Sequence, residues 1–220
     1  MGKRTAEVLL KIYREMYEHF GPQHWWPGDT RTEIIVGAVL TQNTNWRNVE
    51  KALANLRSVG LLNFPALKKA RTAAIAQLIR PSGYYNMKAR RLKNFVAFFY
   101  DTFNGSWRRI AAEPTASLRK KILAVNGIGP ETADSILLYA LDRPVFVVDA
   151  YTRRIFSRYG LTAPDDDYDT VQSFFMDHLP RDPVLYNEYH ALIVRLAKEH
   201  CRTRPLCPGC PSLACRKIFP

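Results

Sequence analysis

The chain has 220 residues, 47% of them hydrophobic, which is enough to bury a core in one domain or two small ones. It has no run of 18 or more apolar residues, and no long apolar stretch follows Lys3 and Arg4, so neither a membrane span nor a cleaved signal peptide is expected and the location is read as cytoplasmic. Thirty-two Lys and Arg against twenty Asp and Glu leave a net charge of +12, a balance that suits a polyanion, nucleic acid before membrane.

Helical periodicity runs through almost the whole chain. Val8, Leu9, Ile12, Met16 and Phe20 predict a helix over 4–20. Thr30 and Glu33 have capping-box spacing and open a second helix through Leu40. Further helices are predicted at about 46–59, 72–79, 87–103, 115–124, 131–141, 150–159, 168–178 and 185–201. Only Val145 to Val148 reads as strand-like, and one short run makes no sheet, so the fold class is all-α. The acidic run Asp165 to Asp167 reads as a solvated turn.

The most informative stretch runs from Val125 through Asn126, Gly127, Ile128, Gly129, Pro130, Glu131, Thr132 and Ala133 to Asp134. It links two predicted helices. Gly127 and Gly129 permit a tight turn and close approach of the backbone. Pro130 suits the first helical position, and Ile128 plugs the turn. The turn amides and the helix start would then face a phosphate oxygen. The plain alternative is an ordinary helix–helix connection.

The cysteines are clustered. Cys201, Cys207, Cys210 and Cys215 follow the spacing Cys-x5-Cys-x2-Cys-x4-Cys, which in a cytoplasmic chain points to a metal centre before disulfides. Iron–sulfur cubanes and zinc both take four thiolates, although zinc usually draws on two separated close pairs and here only Cys207 and Cys210 form one.

The hairpin, the apolar helix after it and the run Pro144 to Tyr151 with Asp149 resemble the endonuclease III superfamily of helix-hairpin-helix DNA glycosylases. So do Ala38 to Thr44, around Gln42, and Pro81 to Arg90, a Gly-x-Tyr-Asn-x-Lys-Ala segment. The motifs cover essentially the whole chain in the family order. The resemblance implies a two-lobed fold around a DNA groove, with Asp149 at the groove. Residues 23–143 would form the helical-barrel domain with the hairpin, and 1–22 with 144–220 the cluster domain. Relatives carry Cys-x6-Cys-x2-Cys-x5-Cys at this end, which decides for a [4Fe–4S] cluster on Cys201, Cys207, Cys210 and Cys215, in loops one residue shorter in two places.

The resemblance also assigns site roles. Asp149 is expected to stabilise an oxocarbenium-like sugar and to orient or deprotonate water, beside a bland role as a helix N-cap. Bifunctional relatives carry a lysine eighteen residues before this aspartate, and here that position is Glu131, which implies a monofunctional hydrolase. Gln42 is expected to fill the gap left by an extruded base. Gly127, Ile128, Gly129, Thr132, Lys88 and Arg153 are expected to contact DNA.

Trp25-Trp26-Pro27, the Thr-Gln-Asn-Thr segment and the hairpin glutamate look most like the 3-methyladenine DNA glycosylase III branch. Gly37 stands where the adenine-mismatch branch carries an acid. N-alkylated purines are cationic, so Trp25, Trp26 and Trp46 are the expected base pocket, against core packing as the alternative. A helical turn from Gln42 would set Trp46 on the same side. The expected partner is double-stranded DNA with a damaged base, bound by a monomer. The competing readings are an endonuclease III-type lyase for oxidised pyrimidines and a DNA-binding protein without chemistry.

Overall fold

The computed structural model describes residues 2–212, and among these it contains helices and no strand. It divides into two units, one of Met1–Trp26 with Pro144–Pro220 and the other of Pro27–Arg143. Residues 23–26, read from sequence with the barrel, belong to the first unit. Gln23 ties them there: its backbone N–H donates to Glu188 Oε1 at 2.7 Å, and its amide to Phe20 O and Gly21 O.

In the first unit the predicted N-terminal periodicity forms α1 (Gly2–Phe20), which buries Leu9, Ile12 and Met16. α1 packs with α11 (Tyr168–His178) and α12 (Pro183–Glu199), and α12 packs in turn with α10 (Ala150–Arg158). Tyr189 on α12 is fully buried and donates its hydroxyl to Leu9 O at 2.8 Å. Val145 to Val148 is no strand. It is a buried connecting segment: Phe146 stacks on Phe175 at 4.1 Å, and Gln172 donates to Phe146 O at 2.6 Å. The acidic run is local capping, with Asp167 accepting from Thr170 N and Asp166 from Ala163 N, each at 2.7 Å.

In the second unit α2 (Arg31–Leu40) and α3 (Trp46–Ser58) are followed by α4 (Phe64–Lys69), α5 (Thr72–Leu78), a 3-10 turn over Arg80–Ser82 and α6 (Tyr85–Phe103). Then come α7 (Trp107–Ala112), α8 (Thr115–Leu123) and α9 (Pro130–Ser135), which continues as a π-helical turn over Ile136–Ala140. Thr30 caps α2 as expected, accepting from Glu33 N at 3.2 Å. The Glu33 carboxylate does not complete the box; it pairs with Arg57 and accepts from Asp29 N. The core of this unit is built from Ile35, Val36 and Val39 of α2, Leu53 and Leu56 of α3, and Leu92, Phe95 and Phe99 of α6.

Candidate functional site

The hairpin is α8, a turn and α9. Gly127 has φ +91°, a conformation that a side chain resists, and a Cβ there would collide with the stem of Arg91. Gly129 is different: it is extended, at φ −91° and ψ 176°, and among the described residues nothing lies within 4 Å of where its Cβ would be. Its face is therefore open to an approaching backbone. Ile128 is buried in the turn and its N–H closes on Val125 O at 3.0 Å. The first-turn amides of α9 have no intrahelical acceptor and make up the positive end of the helix. Arg119 of α8 clamps the two helices with a bidentate pair to Asp134, at 2.8 and 3.0 Å, and Asp134 is fully buried. Asn94 supports the turn from α6 by donating to Asn126 O at 3.1 Å.

Gln42 is not on a helix. It lies in the turn between α2 and α3, so the four-residue helical spacing to Trp46 does not operate. Trp46 starts α3 and donates its indole N–H to Glu50 Oε1 at 2.9 Å. The Gln42 amide nitrogen donates to Gly127 O at 3.2 Å and Thr132 Oγ1 at 2.9 Å, and Arg91 donates to its oxygen. Thr132 is consequently turned inward, against the expectation that it faces DNA.

Lys88 corrects another expectation. Its side chain is 1% exposed, and its ammonium donates to Leu40 O, Thr44 Oγ1 and Ser82 O at 2.8, 2.5 and 2.7 Å. Burial and the neighbouring Arg91 charge push its pKa down to about 8. An ammonium so placed cannot reach a phosphate. It ties the Gln42 turn to the turn before α6, where sequence reasoning overlooked Tyr84, 68% exposed in the left-handed region.

In the first unit Asp149 caps α10. Its Oδ1 accepts from Thr152 N at 2.7 Å and Thr152 Oγ1 at 2.9 Å. Its Oδ2 lies 3.6 Å from Nε2 of His190, a residue the sequence reading passed over on the buried face of α12. Burial pushes the Asp149 carboxyl up, but His190 and the two Thr152 bonds outweigh it and hold the group below its ordinary value. Arg153 donates to Asp166 O at 2.5 Å, bracing the acidic turn. Trp25 and Trp26 are half-buried, their rings edge to face at 5.5 Å. Glu131 is exposed in the first turn of α9.

Cys201 is buried, Cys210 half-buried and Cys207 exposed; Cys215 lies outside the described residues. Arg158 donates to Cys201 Sγ at 3.2 Å and to Arg202 O and Thr203 O. Among the described residues no three His, Cys, Asp or Glu side chains are gathered to hold a metal ion. The donor set itself, four thiols within fifteen residues with an arginine on the first, has the chemistry a cubane requires. No helix among the described residues is long and apolar enough to cross a membrane.

The chain belongs to the HhH-GPD superfamily of base excision DNA repair proteins, whose family profile matches residues 36–181, and is a DNA glycosylase of that superfamily. It is 46% identical over 212 residues to a candidate DNA repair glycosylase of Methanocaldococcus jannaschii, covering 96% of each chain. It is 28% identical over 187 residues to endonuclease III of Sulfolobus acidocaldarius, covering 83% of this chain and 81% of the other. Its fold is similar to that of the H. pylori 3-methyladenine DNA glycosylase MagIII bound to 1,N6-ethenoadenine, with a TM-score of 0.76 and 31% identity over 89% of this chain and 97% of the other.

Proposed function

We propose that the protein binds damaged double-stranded DNA as a monomer and hydrolyses the N-glycosidic bond of N-alkylated purines such as 3-methyladenine, without cleaving the strand. The observation that carries the reading is Glu131. Strand cleavage by the lyase route needs an amine to attack the sugar and form a Schiff base, and a carboxylate cannot do so. The likeness to the H. pylori 3-methyladenine enzyme supports the lesion class.

In this reading the Gly127–Gly129 turn and the start of α9 grip a phosphate, and Tyr84 and Gln42 occupy the gap of an extruded nucleotide. Trp25 and Trp26 stack on the flipped cationic base, each face contributing about 0.5–2 kcal/mol. Asp149 Oδ2 faces the sugar. A water oxygen bonds to C1′, the C1′–N bond breaks with its electron pair on the base, and the water proton passes to the carboxylate. A cationic purine leaves as the neutral base, so no general acid is required. Cys201, Cys207, Cys210 and Cys215 would hold a [4Fe–4S] cluster, which when bound would tie these four positions of the chain together.

The test is base release from duplexes carrying 3-methyladenine or thymine glycol. Faster release of 3-methyladenine supports the reading. Faster release of thymine glycol, with a borohydride-trapped adduct, would establish the endonuclease III-type reading instead.

A further inference from the structure

We propose that His190 is a positioning residue for Asp149, holding the carboxylate oxygen that the helix cap leaves free for chemistry. The inference rests on the reading of Asp149 as the catalytic carboxylate. Capping α10 needs a single acceptor atom, and Oδ1 supplies it with both Thr152 bonds. Those bonds fix the plane of the carboxylate, so Oδ2 points in one direction. His190 approaches that second oxygen from a different helix, far along the chain, which capping does not call for.

His190 is buried, its side chain 7% exposed, and the Asp149 side chain is 13% exposed. An ionised carboxylate in such surroundings is disfavoured unless a partner offsets its lost hydration. The other charged groups nearby are engaged elsewhere. On α10, Arg153 donates to Asp166 O and Arg154 to Cys201 O. On α12, Glu188 accepts from Gln23 N and Arg195 pairs with Glu199. No charged side chain of α1 or α11 adds to the Asp149 shift, and Pro144 to Val148 carries none. His190 is therefore the group that keeps Oδ2 ionised, ready to receive the water proton, and it need not touch the substrate.

The sign of the effect follows. His190 lowers the Asp149 pKa, so its removal raises that pKa, and activity is lost at a higher pH on the acid side. The experiment is single-turnover release of 3-methyladenine across pH by the wild type, His190→Phe, His190→Gln and Asp149→Asn, with lesion-DNA affinity measured alongside. His190→Phe should move the acid limb up by about one pH unit and slow release about 5-fold at the wild-type midpoint, with affinity within about 2-fold. His190→Gln keeps an N–H and should recover most of the rate. If His190→Phe does not fold, the limb of His190→Gln, displaced by less than one unit, carries the test. A wild-type profile in these variants, or a uniform loss with no displaced limb, overturns the proposal while an inactive Asp149→Asn leaves the catalytic reading intact. A fully active Asp149→Asn overturns that reading, and this inference with it.

Discussion

Arg91 and Gln42 close a ring with the hairpin: the guanidinium of Arg91 donates to the Gln42 oxygen while its alkyl stem crosses the face of Gly127, whose carbonyl accepts from the Gln42 amide. The residue proposed to enter the duplex is thus held on the turn proposed to grip the phosphate. Arg91→Ala should loosen that ring. We expect base release to fall about 10-fold, the scale of one hydrogen bond to a charged group, with a smaller loss of affinity for undamaged duplex. Equal losses in both measurements would make Arg91 a phosphate contact only.

The two hairpin glycines should separate stability from binding. Gly127→Ala meets both a positive φ and the Arg91 stem, so its melting temperature should drop by several degrees, for a cost of about 2 kcal/mol or more. Gly129→Ala has room and ordinary dihedrals, so it should melt with the wild type. Its added methyl fills the open face, and duplex affinity should fall. A Gly129→Ala protein with normal affinity would remove this face from the interface.

Lys88→Met should destabilise the fold strongly, because three buried or half-buried acceptors lose their donor at about 1–3 kcal/mol for each left unsatisfied. The salt dependence of duplex binding should keep its slope, since a buried ammonium releases no counterion from DNA. A shallower slope in a folded variant would restore the phosphate contact that the sequence suggested.

Protein purified without oxygen should be brown and contain about four irons per chain. Cys207→Ala, at an exposed position, should lower the iron content without a disulfide forming in its place. Stoichiometric zinc with no iron in a native preparation would contradict the cluster assignment.

Much of this was legible in the chain. The hairpin announced itself because glycine, proline and a plugging isoleucine are local requirements of a turn. Short helices were missed: α4 and α7 have six residues each, too few to show periodicity, although Asn63 and Ser106 cap them by accepting from Ala66 N and Arg109 N. The fate of Lys88 was not legible, because a charged residue in a basic segment reads as exposed and its acceptors, Leu40 O, Thr44 Oγ1 and Ser82 O, come from elsewhere in the chain. His190 was hidden for the same reason: an apolar helix face with one histidine shows no sign of the aspartate it meets.

The most direct test of the central claim is a single-turnover reaction on a duplex with one 3-methyladenine, analysed with and without alkali, for the wild type and Asp149→Asn. The account predicts that the wild type releases the free base and leaves a strand that breaks only after alkali. It predicts that Asp149→Asn binds the lesion but releases base about 100-fold more slowly. Strand breaks without alkali, or undiminished release by Asp149→Asn, would contradict it.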